Sequence, residues 1–373
     1  MASKRVERFL KSIGFALLRT VAPRRRPLPD RDAIARFERV LVLRLDERIG
    51  NAVLLTSMLA ALRSQFPLTR IDCMLSFRYA DLRRFIPSVD RFVLFDKHRL
   101  ARRPWEFLRT VRSIRGERYD CVFDASADQT VSFTHLALCA FSGGRVRVGH
   151  DRGGMGRLYD LSVAVPDHVR HAADTHVDLL DALTPVADRP LPKLHVDTDD
   201  EVLARLCRSQ EIDSDLPLVL IHPGARGRKR WPPEQFAELT RRLAATVRAN
   251  LVLVWGPSDV QTAEVVVKLG DNTLRPAGIL AFVELLQLIR RADVFVSADT
   301  GPMHLASAVG APVVAIFLHT DPAQYGPRDP ASIVLDGRDR ALSAGDVADA
   351  VLGILRHNTL RGAASPPREA FAS

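Results

Sequence analysis

Residues 294–310 constrain this chain more than any other stretch. The apolar run Val294-Phe295-Val296 leads into Ala298-Asp299-Thr300-Gly301-Pro302-Met303-His304, and a helical pattern of small residues follows to Gly310. A strand that stops in an acidic, Gly-containing turn and restarts as a helix offers free backbone N–H groups to an anion. It also sets a carboxylate and an imidazole above the sheet edge. Such a layout suits a nucleotide diphosphate and its sugar.

The same alternation recurs along the chain. Arg39 to Leu45 is apolar on both faces, as a buried parallel strand must be. It is followed by the turn Asp46-Glu47-Arg48-Ile49-Gly50-Asn51 and a helix pattern to Gln65. Further strands are expected at Arg70–Leu75, Arg91–Phe95, Cys121–Asp124 and Val146–Gly149, with helical patterns between, notably Pro104 to Ile114. Arg145 to Gly156, rich in glycine and arginine, reads as a mobile loop. A second series begins after the prolines of 185–192. It has strands at Leu216–Ile221, Leu251–Trp255, Val294–Val296 and Val313–Phe317, and a helix from Pro233 to Thr246. A length of 373 residues exceeds one ordinary core. Two α/β domains with parallel sheets are therefore expected. The proposed divisions are a basic extension and linker at 1–38, a first domain at 39–190, a second at 191–352 and a tail at 353–373.

Charge and cysteine content narrow the class. Residues 1–29 hold eight bases against one acid, Glu7, so most of the net +9 lies there and the body is not a nucleic-acid surface. Within this segment Val6, Phe9, Leu10, Ile13, Leu17, Leu18 and Val21 repeat at roughly helical spacing. That reads as an amphipathic helix for an anionic membrane face, or as a helix packed on the body. Pro23 to Pro29 reads as a linker. Four scattered cysteines without a CxxC pair imply core thiols in a reducing compartment. His171 and His176, five apart, do not form a metal pair and suit an acceptor pocket or plain solvated positions.

Two loops of the second half gain meaning together. His222-Pro223-Gly224-Ala225-Arg226-Gly227-Arg228-Lys229 follows a strand, as does the Asp299 turn. Both belong at the carboxyl edge of one sheet, where open α/β sheets take ligands. Backbone N–H groups and a fixed cation are what a diphosphate requires. There is neither a GxGxxG nor a Walker sequence, and no Tyr-x-x-x-Lys, which argues against an epimerase-type nucleotide enzyme.

At these residues the sequence resembles glycosyltransferase family 9, the heptosyltransferases of lipopolysaccharide core assembly. The carrying motifs are Arg44-Leu-Asp46-Glu-Arg-Ile-Gly50-Asn51, His222-Pro-Gly-Ala with Lys229-Arg-Trp-Pro, Trp255-Gly-Pro-Ser-Asp259, and Asp299-Thr-Gly-Pro-Met-His304-Leu-Ala, in that order across residues 39–335. The resemblance implies a GT-B fold of two Rossmann-like domains facing across a cleft, the first binding an acceptor and the second a sugar nucleotide. It implies an inverting transfer of a heptose or related sugar from an ADP-sugar donor to a glycolipid, without metal or cofactor, at the cytoplasmic face of the inner membrane. Residues 1–29 would then meet the anionic membrane surface. Carried over, Lys229 would neutralise the diphosphate, Asp299 would hold sugar or ribose hydroxyls, and Thr300 and Gly301 would give N–H contacts. His304, Gly224 and Ala225 would lie beside them, and Asp259 near the nucleotide or sugar. One position departs from the family pattern: Asn51 stands where an aspartate commonly serves as general base. Three readings stay open. Asp46 or Glu47 supplies the base; Asn51 only orients the hydroxyl; or the chain binds nucleotide sugar with weak or no transfer.

Overall fold

The structure is a computed structural model that describes residues 14–362 apart from 104, 127–130, 166 and 271. The chain divides after Leu191 into two compact units. In the first, β1 (Arg39–Arg44), β2 (Arg70–Ser76), β3 (Arg91–Phe95), β4 (Cys121–Asp124), β5 (Val146–Asp151) and β6 (Leu161–Ala164) form one sheet in the order β3-β2-β1-β4-β5-β6. In the second, β7 (Leu218–His222), β8 (Asn250–Val254), β9 (Leu274–Gly278), β10 (Val294–Ala298), β11 (Val313–Phe317) and β12 (Ile333–Asp336) run β12-β11-β10-β7-β8-β9. All pairings are parallel. These are doubly wound, Rossmann-like sheets, as expected. Each reverses direction once, between β1 and β4 and between β7 and β10, and such reversal points open a crevice for ligands at the carboxyl edge.

The central strands are buried on both faces, which accounts for their unbroken apolar sequences. Each sheet is covered by amphipathic helices. In the second unit, Phe236, Leu239 and Leu243 of the helix Pro233–Thr246 pack with Val351, Ile354 and Leu355 of the final helix, Ala344–Gly362. The tail expected from 353 is therefore helical to residue 362, because Ile354 and Leu355 are core residues.

The N-terminal segment follows the second of its two expectations where it is described. Residues 14–21 are helical, and Leu18 is buried in the first unit's core while Phe15 meets Phe133 edge-on at 5.6 Å. The described part of this helix is thus packed on the body; residues 1–13, the rest of the proposed membrane helix, lie outside the described residues. Pro23 to Pro29 has no regular structure, yet it is strapped down. Arg147 and Asp160 form a buried ion pair at 2.8 Å. Arg26 donates its backbone N–H to Asp160 at 2.7 Å, and Arg147 donates to the carbonyl of Arg24 at 3.0 Å. Burial alone would raise the Asp160 carboxyl; the hydrogen bonds from Arg147 and Arg26 instead hold it below the usual range. Arg145 to Gly156 is not a mobile loop, since β5 occupies half of it and buries Arg147 and His150. Cys73, Cys121 and Cys139 are buried free thiols. Among the described residues, no helix is long and apolar enough to cross a membrane.

Candidate active site

The second sheet's reversal point gathers the sequence-derived residues. Ser297 pairs with His222 across β10 and β7, and Ala298 with Ile316 across β10 and β11, so the loops after these strands emerge side by side. Lys229 reaches back from the short turn Gly227–Lys229, and its Nζ meets Asp299 Oδ2 at 2.5 Å. Thr320, from the loop after β11, donates its hydroxyl to the same oxygen at 2.5 Å. His304 Nε2 lies 3.7 Å from the other oxygen, Oδ1. The Lys229 ammonium also sits 5.8 Å from the centre of the Tyr325 ring. Asp299 is almost wholly buried, whereas Lys229 is about one-third exposed, so the cation forms the open side of this pair.

The helix Gly301–Val309 starts beside Asp299. Thr300 precedes it without capping it: its hydroxyl is bonded to Ser297 Oγ at 3.0 Å instead. The first-turn N–H groups at Gly301 and Met303 therefore have no intrahelical acceptor and no side-chain cap. Pro302 sits in that turn, where its missing N–H costs nothing. Gly310 closes the helix in the left-handed region, at φ 90°.

Asp259 meets Gly224 rather than Asp299. A Cβ at Gly224 would lie 2.5 Å from Asp259 Cγ and 2.6 Å from His222 Cε1, so only glycine fits between them. His222 Nδ1 is 3.4 Å from Ser297 Oγ. Polar contacts thus run from His222 through Ser297 to Thr300. Burial pushes His222 down to about 4, against the opposing field of Asp259. Ala225 is buried, and its carbonyl accepts from Arg230 at 3.4 Å. Trp231 anchors the loop by stacking edge-on with Phe236 and donating Nε1 to the Leu342 carbonyl at 3.0 Å.

At the first reversal point Arg44 ends β1 with its side chain buried. It donates to the Ala125 carbonyl beyond β4, and its Nε lies 2.8 Å from Asp46 Oδ2. Asp46 Oδ1 accepts from the Asn51 amide at 3.3 Å and from the Arg48 backbone at 3.2 Å. Asn51 thus touches the carboxylate of Asp46. Glu47 is clamped by Lys97 at 3.0 Å and Arg78 at 3.5 Å. Behind them, Asp124 accepts from Ser126 Oγ and Tyr159 OH, each at 2.6 Å, and Ser126 in turn accepts from Arg152 at 2.6 Å. Burial works to raise the Asp124 carboxyl, but the fields of His135 and Arg152 and these hydrogen bonds hold it low. His135 accepts the Leu45 N–H at 2.9 Å, and burial lowers its pKa against the opposing field of Asp124. His171 and His176 are not solvated. His171 caps the helix Ala172–Asp181, and His176 is buried, driven far below its usual value by burial and by the fields of Arg44, His150 and Arg152. No cluster of three metal-binding side chains occurs among the described residues.

Comparison with known proteins places this geometry. The family model for glycosyltransferase family 9 (heptosyltransferase) matches residues 107–343. The chain belongs to glycosyltransferase family 9. Lipopolysaccharide heptosyltransferase 2 of Salmonella typhimurium is 25% identical over 296 residues, 76% of this chain and 81% of that protein. Among solved structures, the family 9 glycosyl transferase of Veillonella parvula aligns with a TM-score of 0.75 at 22% identity, covering 86% of this chain and 98% of that one. E. coli ADP-heptose lps heptosyltransferase II aligns with a TM-score of 0.73 at 19% identity, covering 86% and 99%. As a family 9 member the protein is a glycosyltransferase with the GT-B fold.

His222, Ser297, Thr320 and Tyr325 were not among the sequence-derived site residues, nor were Arg44 and Arg152. His222 and Thr320 had a signal: both directly end or follow strands flanking the Asp299 turn. Arg44 opened one of the quoted motifs without being given a role, and Arg152 had no signal, because an arginine just past a strand end reads as surface.

Proposed function

We propose that this glycosyltransferase moves a heptose, or a related sugar, from an ADP-sugar to a lipopolysaccharide core or similar glycolipid acceptor, at the cytoplasmic face of the inner membrane. The observation that carries the donor half is the convergence of Lys229, Asp299 and an uncapped helix start at one reversal point. The ADP-heptose in the name of the E. coli relative supports the donor class. Lys229 and the N–H groups at Thr300 and Gly301 offset the charge that grows on the departing diphosphate. Asp299 accepts from sugar or ribose hydroxyls, with His304 beside it. Gly224 and Ala225 bring the backbone close, and Asp259, packed beside Gly224, contacts the nucleotide or sugar.

On the acceptor side, the proton goes to Asp46. Asn51 cannot take one at neutral pH, and Glu47 is tied by two cations. Asp46 is fixed by Arg44, Arg48 and Asn51, and a carboxylate has lone pairs beyond those three contacts. The acceptor O–H gives its proton to Asp46 as its oxygen attacks the anomeric carbon opposite the diphosphate. The carbon–oxygen bond to phosphate breaks, ADP departs with the electron pair, and the configuration inverts. No metal is assigned a part in this step.

The test is release of ADP from ADP-heptose in the presence of a deacylated core acceptor, with and without EDTA. Release that survives EDTA and inverts the anomeric centre supports the reading. Release that requires a divalent ion removes metal independence. Tight donor binding without release favours the second reading, a nucleotide-sugar-binding protein with weak or no transfer, for which Asn51 in place of the usual aspartate is the motivating observation.

A further inference from the structure

The first unit carries an apolar and basic face at the carboxyl edge of its sheet. The helix Trp105–Gly116 buries Ile114 and packs Phe107 and Val111 against the core, while Trp105, Leu108, Arg109 and Arg112 fall on the opposite side at i, i+3, i+4, i+7 spacing. Trp105 is 61% and Leu108 59% exposed. A helix outside a soluble domain places charged residues there, not a tryptophan and a leucine. The helix runs back from β3 toward the start of β4, so these two residues lie toward the carboxyl ends of the strands. The short helix before it, Lys97–Arg102, is pinned to that same edge by the ion pair between Lys97 and Glu47.

The neighbouring elements extend the face. Phe133 and Val131, exposed at the start of the helix after β4, lie beside Gly14 and Gly153. Arg19 donates to the Gly153 carbonyl at 3.1 Å, and Leu17, next in the chain to the buried Leu18, is 59% exposed. The helices carrying Leu18, Phe107 and Leu136 share one core cluster, which puts them on one side of the sheet. Charge complements the apolar groups: residues 97–118 hold eight bases and two acids, a second concentration of positive charge within the body.

We infer that this face, formed by Leu17, Trp105, Leu108, Val131 and Phe133 among arginines, docks on an anionic phospholipid bilayer and holds the Asp46 edge of the first sheet against the lipid surface. Aromatic and aliphatic side chains enter the interface while arginines meet the headgroups. The inference deepens the proposed glycolipid acceptor, yet vesicle binding can be read without any transfer.

The full chain is mixed with vesicles of phosphatidylglycerol and phosphatidylethanolamine, or of phosphatidylcholine alone, and sedimented. Binding to the anionic vesicles that weakens with salt is expected, with a blue shift of tryptophan emission that Trp105→Phe abolishes. Trp105→Ala with Leu108→Ala, and separately Arg109→Glu with Arg112→Glu, should each lower partitioning by about tenfold. All four side chains are exposed, so the melting temperature should hold. Turnover on a deacylated soluble acceptor should stay unchanged, whereas turnover on vesicle-embedded acceptor should fall with binding. Equal vesicle binding by both double variants would overturn the inference. So would concentration-dependent self-association that the same variants abolish, since the face would then be an interface between copies.

Discussion

The two reversal points solve different problems with the same topology. In the second unit a single buried carboxylate, Asp299, is shared by Lys229, Thr320 and His304, and the adjoining helix start is left uncapped. In the first, the helix Ile49–Leu54 also starts without a side-chain cap, and the difference lies in the charged groups beside it. Arg44 ties the turns after β1 and β4 together, Asp46 is held from three sides, and Asp124, Ser126, Tyr159 and Arg152 form a closed network beneath. One edge leaves its cation about one-third exposed beside the carboxylate that it shares. The other spends its donors on fixing one carboxylate. A site that must accept a growing charge needs the first arrangement; a site that must position a proton acceptor needs the second.

The largest expected effect breaks the first edge. Asp46→Asn should lower kcat by about 10²–10⁴-fold, the usual worth of general-base help, while the dissociation constant for the ADP-sugar stays put. Rapid-quench turnover alongside calorimetric donor titration separates the two quantities. A variant that loses donor affinity instead would move Asp46 out of the acceptor half.

Next comes acid sensitivity at the second edge. His222 is neutral in the fold, with its value near 4, and ordinary in the unfolded chain. Between pH 6.5 and 4 the unfolded state binds the extra proton, so stability falls as pH drops through that window. The loss approaches about 3 kcal/mol for a group this buried. His222→Asn should shrink the drop in melting temperature across that range. An undiminished drop would assign the acid lability to the buried His135 and His176 of the first unit.

Lys229→Ala sharpens the donor side. Its removal should weaken ADP-sugar binding by about 1.5–3 kcal/mol, the scale of a hydrogen bond between charged groups. It should also lower the melting temperature, because Asp299 stays buried without its cation, facing Thr320 and His304. Unchanged affinity in titration calorimetry would take Lys229 out of the donor site, whatever happened to stability.

The contrast between the two edges also explains what could be read from sequence. The loops proposed to hold the donor are built from glycines, a proline at a helix start and one or two charges close in the chain, so Gly224, Lys229 and Asp299 stand out as motifs. The acceptor edge is assembled from side chains far apart: Arg44 meets Ala125, and Arg152 meets Ser126. Nothing local marks such pairs. Strands follow a similar rule. The buried ones announced themselves as apolar runs, but β6, β9 and β12 were missed, and all three are sheet edges with half-exposed residues. β9 even contains Pro276, which an edge tolerates and a central strand does not. Leu18 was similarly ambiguous, since one buried leucine on an otherwise basic helix decides between packing and membrane contact only once its neighbours are known.

The smallest effect is the most discriminating. If the proton acceptor had merely been lost at residue 51, Asn51→Asp should raise turnover steeply. If Asp46 has taken the role, the new carboxylate arrives 3.3 Å from an existing one and removes the amide that now donates to it. The gain of a second base is then offset by like-charge repulsion and by a less firmly held Asp46. Turnover should change by less than about threefold, under 1 kcal/mol in the barrier. Combining Asn51→Asp with Asp46→Asn separates the cases further: the pair keeps one carboxylate and one amide in contact with their places exchanged. Partial recovery over Asp46→Asn alone would mean that the edge requires a carboxylate at this spot and accepts it from either end of the turn. No recovery would mean that Arg44, which reaches Asp46 Oδ2 at 2.8 Å, sets the geometry for residue 46 alone.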